Sequence, residues 1–427
     1  MNADDMGPRA TDPDIANDAV AIDRVISEVA AAVGLAEGEP GIRDILSAVL
    51  AAEPVAVRDV SRMAELPVPI VAAVCSELRK RDVIDTQRPV RLTAAGRSAV
   101  LAAVGGPPLT AACPECAGRG LAIPVELAGL AETLQVSADG APTAKADLDQ
   151  THCTVATKLS RVLLLDQAHA LAGQRILLLG DDDLISVAIA EFARYRQQTA
   201  AIRRLTVIDA DADVLDWIGT QAEHIGMPVE LVRHDLRQPL PAGLTGAFDV
   251  VLTDPPYTVA GAELFLSRAV SGLSGEPGRH VFFSFGARRP DETLAVQRAI
   301  GEMGLAVRSL RPGFNEYLGA GILAGTSNLY HLRSTASARP LVAGEYAGPI
   351  YTADSRAAAT RPYRCAECKA VHEVGPGARW PQIAALQAAG CPTCGGTTFR
   401  PMPLARQPAG QPSAGQPPAG QPPARRR

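Results

Sequence analysis

Three consecutive carboxylates, Asp181, Asp182 and Asp183, follow Gly180 at the end of an apolar run that begins at Arg175. Nucleotide-binding folds usually place a glycine-rich turn there, whose backbone N–H groups and helix N-terminus hold an anion. Three carboxylates would repel an anion, and the G-x-G-x-x-G spacing of a pyrophosphate-binding turn is absent. One aspartate could simply cap the helix that follows. Three in a row predict instead a pocket for a cation.

The sequence around this turn alternates between apolar runs and helix-like stretches, which predicts an α/β fold with a Rossmann-like, doubly wound sheet of parallel strands. The later apolar runs are 205–208, 229–232, 248–252 and 280–285. The first three of them are followed by Asp209, Asp235 and Asp254. A single acid after a strand is more often a turn former, but acids at successive strand ends predict a ligand site. We expect Asp209 to bind ribose hydroxyls and Asp235 to lie beside an adenine amino group.

The sequence Asp254-Pro255-Pro256-Tyr257 follows the fourth strand-like run. Two prolines fix φ and remove two donors, so they hold an extended turn rigid beside the Asp and Tyr side chains. The motif resembles the Asp/Asn-Pro-Pro-Tyr motif of S-adenosylmethionine-dependent amino-methyltransferases, which holds a nitrogen nucleophile. A plain proline turn is the alternative. We expect Asp254, Pro255 and Tyr257 to bind a substrate nitrogen.

Further segments support one family resemblance. They are DQTHCTVATKLSR, LLLGDDDLIS, VIDAD, RHDLRQPLP, FDVVLTDPPYTVAG, LFLSRAV and FNEYL. From about Ile42 to about Arg333 the chain resembles the N(4)-bis(aminopropyl)spermidine synthases, the branched-chain polyamine synthases, with GDDD as the specific motif. The resemblance implies a winged-helix N-terminal domain and a catalytic domain of the class I methyltransferase/aminopropyltransferase type. It implies two aminopropyl transfers from decarboxylated S-adenosylmethionine to the secondary amine of spermidine, each releasing methylthioadenosine.

The resemblance also suggests roles for single residues. One aspartate of the GDDD motif would take a proton from the attacking amine or orient it, and we favour Asp183, with Asp182 next. Asp181 would bind the donor's ammonium group beside Gly180, and Glu316 in FNEYL would bind a terminal amine. The decarboxylated donor carries a sulfonium and an ammonium but no carboxylate, so a triple-aspartate turn would favour it over S-adenosylmethionine.

Two other functions stay open from the sequence. The first is an S-adenosylmethionine-dependent N-methyltransferase acting on nucleic acid or protein, which would share the Asp-Pro-Pro-Tyr motif. The second is a regulator whose N-terminal domain binds DNA and whose Rossmann-like domain senses a polyamine. Incubation with each donor separates an aminopropyltransferase from a methyltransferase, whereas the regulator would bind DNA without turnover.

Composition limits the class of protein. The 427 residues suggest two or three domains, 47% hydrophobic content is ample for a core, and a net charge of −5 gives no sign of a nucleic-acid protein. No apolar run approaches the ~20 residues of a membrane span, and the acidic N-terminus does not resemble a signal peptide. We expect a cytoplasmic protein with a polyamine substrate and no membrane partner.

The apolar spacing within 41–104 predicts a winged helix-turn-helix. Such a fold often binds DNA, and Arg79, Lys80 and Arg81 are the candidate contacts. Basic and acidic residues nearly balance in this span, which is a weak electrostatic footprint. We favour a role as a substrate lid or as the contact of a homodimer.

Two pairs of cysteines, Cys365/Cys368 and Cys391/Cys394, have the spacing of a zinc ribbon with four cysteine ligands. Disulfides are the alternative, but they are rare in the cytosol. The family resemblance does not reach this ribbon, so its role is open.

A third pair, Cys113 and Cys116, supplies only two ligands of a closed zinc site, which needs four. His152 and Cys153, or a second subunit, could complete it. A turn without metal is the alternative.

These patterns predict six regions. They are a mostly disordered lead with a short helix (1–40), the winged helix (41–104), a linker (105–155), the catalytic domain (156–335), the ribbon region (336–400) and a disordered Pro/Gln/Gly tail (401–427).

Overall fold

The computed structural model describes residues 13–104, 113, 115–116, 119–319, 325–352, 361–375, 378–380 and 383–402. Residue contacts divide the chain into two units, Met1–Thr352 and Ala353–Arg427. Among the described helices, none combines the length and the apolar content needed to cross a membrane. The first twelve residues and nearly all of the predicted tail lie outside the described residues.

Five helices with a core of their own form the N-terminal part of the first unit. They are α1 (Pro13–Val33), α2 (Gly38–Ala52), α3 (Val57–Met63), α4 (Val68–Arg79) and α5 (Ala94–Val104). Two isolated antiparallel bridges, Val55↔Val90 and Ile84↔Leu92, accompany them. The prediction of a mostly disordered lead is wrong for 13–33, because apolar residues at helical spacing there, such as Ile22, are buried in this core.

The basic residues Arg79, Lys80 and Arg81 have partners within this helical part. Lys80 and Arg81 form ion pairs with Glu77 at 2.5 and 2.8 Å. Arg79 donates to the backbone carbonyl of Asp85. These contacts offset much of the positive charge that a DNA-binding helix would present.

Seven strands form the central sheet in the order β3-β2-β1-β4-β5-β7-β6. They are β1 (Arg175–Leu179), β2 (Arg204–Asp209), β3 (Glu230–Arg233), β4 (Val250–Thr253), β5 (His280–Phe285), β6 (Leu305–Glu316) and β7 (Thr326–Ser334). The five predicted strands are confirmed and run parallel. β7 is antiparallel to both β5 and β6, so the sheet is mixed rather than wholly parallel. β6 and β7 pair as a hairpin, which needs no crossover helix.

Six helices cover the two faces of this sheet. α6 (Ala128–Asp139), α7 (Val155–Gln167), α8 (Ile185–Tyr195) and α9 (Ala212–Ile225) share one apolar core, and α10 (Val259–Gly272) and α11 (Pro290–Glu302) share the other. Along β1 the side chains alternate between the two cores, Leu178 in the first and Leu177 in the second. Because β1 to β5 are parallel, their carboxyl ends lie at one edge, where open α/β sheets bind ligands.

The second unit contains a small antiparallel sheet in the order β10-β8-β9. Its elements are β8 (Arg361–Cys365), β9 (Val371–Val374), α12 (Ile383–Ala389) and β10 (Phe399–Pro401). Its buried apolar residues are Cys365, Val374, Leu386, Cys391 and Phe399. A core of this size is typical of domains that a metal or disulfides hold together.

Candidate active site

Gly180 and Asp181 form the turn between β1 and α8. Gly180 has φ +74°, which a glycine adopts without strain. The carboxylate of Asp181 accepts the backbone N–H groups of Ile185 and Ser186 at 2.7 and 3.0 Å. Burial raises its pKa to about 7, although these helix N–H groups oppose the rise. The Asp181 side chain therefore caps the first N–H groups of α8, and it also lines the cavity described below, so its contact with the donor's ammonium stays a prediction.

Asp183 is buried and both of its carboxylate oxygens are engaged. One accepts the backbone N–H of Cys153 at 2.5 Å, and the other forms an ion pair with Arg161 at 2.8 Å. Lys158 donates to the backbone carbonyl of Asp183. Burial opposes ionisation of this carboxyl, but Arg161 and Lys158 outweigh burial and hold its pKa below the usual range. A carboxylate held in this way is a poor proton acceptor.

Arg161 joins Asp183 to the Asp254-Pro-Pro-Tyr motif. Its second terminal nitrogen donates to Asp254 at 2.8 Å and to the hydroxyl of Tyr317 at 3.1 Å. Asp254 also accepts the hydroxyl of Tyr317 at 2.5 Å and that of Tyr257 at 3.0 Å. This network fixes the Asp254 carboxylate between a buried guanidinium and two phenols, so Asp254 and Tyr257, both predicted to bind the substrate nitrogen, lie in contact with each other.

Asp182 is the half-exposed member of the three aspartates. One carboxylate oxygen accepts the backbone N–H of Thr151 at 2.9 Å, and the other has no hydrogen-bond partner among the described residues. Burial, and then repulsion by Asp183, Asp254 and Asp209, raises its pKa well above the usual range. A raised pKa and an unpaired oxygen are the properties of a general base. The geometry therefore favours Asp182 over Asp183, the reverse of the order favoured from the sequence.

Two adjoining cavities open at this edge, and Gly180, Asp182 and Asp254 line both of them. The first, here called the acid cavity, extends past Arg161, Phe282 and Ser284. The second, here called the nucleoside cavity, extends past Asp209, Asp235, Phe265, Ile350 and Tyr351. The two cavities therefore meet beside Asp182 and Asp254.

Asp209 and Asp235, the predicted nucleoside contacts, line the nucleoside cavity, and each carboxylate already has partners within the protein. Asp209 accepts the backbone N–H groups of Asp181 and Asp211 at 2.9 and 2.8 Å. Asp235 is ion-paired with Arg237 at 2.7 Å. Carboxylate oxygens accept more than one hydrogen bond, so both can still bind a ligand hydroxyl or amino group.

Glu316 is not brought to this site. Its carboxylate pairs with Arg62 of α3 at 2.7 Å and lines a separate cavity of about 520 Å³. The hydroxyl of its neighbour Tyr317 reaches Asp254 instead, because successive side chains of an extended chain point to opposite sides. The contact of Glu316 with a terminal amine therefore stays a prediction.

The acids at this edge are not the uncompensated cluster that the sequence suggests. Asp183 and Asp254 are partly neutralised by Arg161, and Lys158 is buried beside them. The carboxylates of Asp181, Asp182, Asp183, Asp209 and Asp254 nevertheless outnumber Arg161 and Lys158, so a negative excess remains when all five are ionised. Burial also raises the pKa of Asp209, and a cation bound beside it would favour its ionised form.

Arg161 and Tyr317 are the functional residues that sequence reasoning missed. Both lie in quoted motifs, Arg161 as the last residue of DQTHCTVATKLSR and Tyr317 beside Glu316 in FNEYL. Arg161 lies on a buried face of α7, where an unpaired arginine would be costly, so a carboxylate partner could have been expected. The alternation along FNEYL could have shown that Glu316 and Tyr317 cannot share one site.

A segment that follows β7 supplies one wall of the nucleoside cavity. Arg268 is 1% exposed and donates to four backbone carbonyls, among them those of Val342 and Gly344. The hydroxyl of Thr258 donates to the carbonyl of Ile350 at 2.7 Å. These bonds hold residues 342–350 against the catalytic sheet and so position Ile350 and Tyr351.

The cysteines of the second unit converge. The sulfur atoms of Cys365, Cys368, Cys391 and Cys394 all lie within 4.8 Å of one another, and two pairs are 3.6 Å apart. Four sulfurs around a zinc ion at 2.3 Å would be about 3.8 Å apart, so the cluster fits such an ion. His372 contacts Cys391 Sγ at 3.2 Å as an outer partner.

The set proposed around Cys113 and Cys116 does not converge. Both ring nitrogens of His152 contact backbone carbonyls, those of Asp182 and Pro142. Cys153 is buried, and its backbone N–H donates to Asp183. Within the described part of the chain, the ribbon cysteines form the only cluster suited to a metal ion.

The sheet order, the antiparallel β7 and the acids at the ends of β1, β2 and β4 define the architecture of the class I methyltransferases and their relatives. A family model described as the branched-chain polyamine synthase A C-terminal domain matches residues 129–337. The N(4)-bis(aminopropyl)spermidine synthase of Thermus thermophilus is 32% identical over 303 residues, which are 70% of this chain and 82% of that protein. The chain belongs to the branched-chain polyamine synthase family, and it is an enzyme of the transferase class.

A crystal structure and a further relative extend the comparison. The branched-chain polyamine synthase of Thermus thermophilus, in complex with N4-aminopropylspermidine and 5'-methylthioadenosine, matches with a TM-score of 0.65 and 27% identity, covering 79% of this chain and 98% of that one. An uncharacterized protein of Methanocaldococcus jannaschii is 31% identical over 380 residues, 88% of this chain and 92% of that protein. The part of this chain left outside that match is shorter than the second unit, so the match extends into it.

Proposed function

We propose that this chain transfers aminopropyl groups from decarboxylated S-adenosylmethionine to the secondary amine of spermidine. The products are N(4)-bis(aminopropyl)spermidine, reached through the singly substituted amine, and methylthioadenosine. The observation that carries the proposal is the negative excess where the acid cavity and the nucleoside cavity meet, beside Asp182 and Asp254. Both proposed reactants are cations, and both would enter this edge.

Charge explains the choice of donor. The decarboxylated donor places a sulfonium and an ammonium near the acids, whereas S-adenosylmethionine adds a carboxylate. Two unit charges ~4 Å apart at an effective dielectric of ~20 interact by about 4 kcal/mol before desolvation. Arg161 and Lys158 reduce this attraction but do not cancel it, since the carboxylates that line the two cavities outnumber them. The carboxylate of S-adenosylmethionine would be repelled by the same acids.

Asp182 is the proton acceptor in this proposal. The lone pair of the acceptor nitrogen attacks the aminopropyl carbon next to sulfur while the carbon–sulfur bond breaks, and its electron pair returns to sulfur. The nitrogen then carries one proton too many, and the unpaired oxygen of Asp182 takes it. Spermidine amines are almost fully protonated at neutral pH, so a base beside the nitrogen also favours the reactive neutral form.

Asp254 and Tyr257 orient the acceptor. Asp254 is held by Arg161, Tyr257 and Tyr317, so its carboxylate is fixed before a substrate arrives. A fixed carboxylate beside the reacting nitrogen supplies the alignment that a displacement at carbon needs. Asp183 pairs with Arg161 and so holds the guanidinium in the position from which it binds Asp254.

Incubation with spermidine and each of the two donors tests the proposal. With the decarboxylated donor, we expect mass spectrometry to show products heavier than spermidine by one and then two aminopropyl groups. One methylthioadenosine should be released for each aminopropyl group transferred. Methyl transfer from S-adenosylmethionine to nucleic acid or protein, with no reaction of the decarboxylated donor, would replace this proposal with the methyltransferase function.

Three further assignments complete the proposal. The four ribbon cysteines hold a structural zinc ion, which metal analysis would find at one per chain. The helices and bridges of 41–104 form a winged helix that serves as a substrate lid or a homodimer contact, supported by the ion pair of Arg62 with Glu316. The chain works in the cytoplasm, where its cysteines stay reduced.

A further inference from the structure

Charge is divided unevenly between the two units of the chain. Residues 353–427 contain ten Lys and Arg and three Asp and Glu, which gives a formal charge of +7. Of the chain's 41 basic and 46 acidic residues, 31 and 43 are left for the first unit, a formal charge of −12. The net charge of −5 hides this division. A basic unit joined to an acidic enzyme suggests a separate anionic partner.

The small sheet of the second unit presents two arginines on one exposed face. Arg364 of β8 and Arg400 of β10 are directly opposite each other in the antiparallel register. Both side chains are exposed, as is Val371, which is opposite Arg364 on the other side. The cysteines and the small core occupy the opposite face of the sheet. The exposed face therefore takes no part in the proposed zinc site.

Like charges directly opposite each other destabilise a pair of strands. Within the described part of the chain, neither Arg364 nor Arg400 forms an ion pair with a carboxylate. Lys369 and Arg379 add two exposed cations to this unit, and Arg379 lies over the ring of Trp380 at 5.0 Å. A group that carries closely spaced negative charges would relieve the repulsion between the arginines.

We propose that this face, defined by Arg364 and Arg400, binds the phosphodiester backbone of a nucleic acid. Guanidinium groups donate paired N–H bonds that match phosphate oxygens. Lys369 and Arg379 add two exposed cations of the same unit that could contact neighbouring phosphates. The proposal does not depend on the aminopropyl transfer, since no residue of the acid cavity or the nucleoside cavity takes part.

Fluorescence anisotropy of the full chain with a labelled single-stranded oligonucleotide of ~20 nucleotides tests the proposal, with RNA and DNA of one sequence as two arms. We expect binding that weakens steeply between ~50 and ~200 mM salt. Arg364→Ala/Arg400→Ala should lower the affinity at low salt about tenfold or more and reduce the slope of log K against log salt by about 1.4. A difference between the arms would identify which nucleic acid is preferred.

Matched variants keep the test specific. Arg203→Ala/Arg298→Ala removes two exposed arginines from the first unit and should leave binding unchanged. Arg364→Lys/Arg400→Lys keeps the charge but loses the paired N–H donors, so it should weaken binding less than the alanine variant and leave the salt slope unchanged, and aminopropyl transfer should be the same in every variant. Failure to bind, equal weakening in the control, a reduced salt slope in the lysine variant, or equal binding of polyglutamate would overturn the proposal.

Discussion

Asp182 and Asp183 are adjacent, chemically identical and differently held, so a pair of Asn variants separates their roles. Asp182→Asn removes the carboxylate with the unpaired oxygen and leaves the ion pair of Asp183 with Arg161 intact. A positioned base contributes ~10²- to 10⁴-fold to a rate. We therefore expect kcat to fall about 100-fold or more.

Asp183→Asn should act through stability instead. It leaves the buried Arg161 with Asp254 as its one remaining carboxylate partner among the described residues, and breaking a buried pair typically costs ~3–5 kcal/mol. We expect the melting temperature to drop by several degrees. Asp182→Asn should not lower it, because the raised pKa of Asp182 means that its ionisation destabilises the ligand-free fold, and Asn removes that cost.

Two measurements on both variants suffice. Release of methylthioadenosine under donor and spermidine saturation gives kcat, and thermal melting without ligand gives stability. If Asp182→Asn kept near-normal kcat while Asp183→Asn lost it at an unchanged melting temperature, the assignment of Asp182 as the base would be refuted.

Three other outcomes follow from the geometry. Tyr317→Phe removes a hydroxyl that donates to Asp254 at 2.5 Å. Because a hydrogen bond to a charged group contributes ~1.5–3 kcal/mol, kcat/KM should fall about tenfold or more when methylthioadenosine release is measured. Arg268→Ala removes a buried guanidinium that donates to four backbone carbonyls, so the protein should be less stable by ~3 kcal/mol or more in denaturant unfolding and show a higher KM for the donor. The pKa of Asp181 rises from 3.8 to about 7 on folding, so stability should decrease as pH rises through this range; melting curves of Asp181→Asn should show a weaker dependence, and an equal one would contradict this reading.

The sequence predicts the strands well because the central strands are continuous apolar runs that end in acids. It also places Gly180, Asp182, Asp209 and Asp254 at one edge, since parallel strands share their carboxyl ends. It does not reveal their charge partners. Arg161 reaches Asp183 from α7, and such a contact between distant parts of the chain leaves no local pattern.

Other features escaped prediction for similar reasons. The β6–β7 hairpin is antiparallel because it closes the sheet after the last crossover helix, where alternation between strand and helix stops. Ile350 and Tyr351 enter the nucleoside cavity from a segment held by Arg268, beyond the last strand of the central sheet.

The relative affinity for decarboxylated S-adenosylmethionine and S-adenosylmethionine shows most directly whether the negative excess at the carboxyl edge of the sheet selects cations. Calorimetric titration of the wild-type chain should give decarboxylated S-adenosylmethionine an affinity at least ~10-fold above that of S-adenosylmethionine, well within the ~4 kcal/mol available to a close charge pair. Asp182→Asn should narrow this ratio. Equal affinity for both donors, or a ratio that Asp182→Asn leaves untouched, would contradict the account.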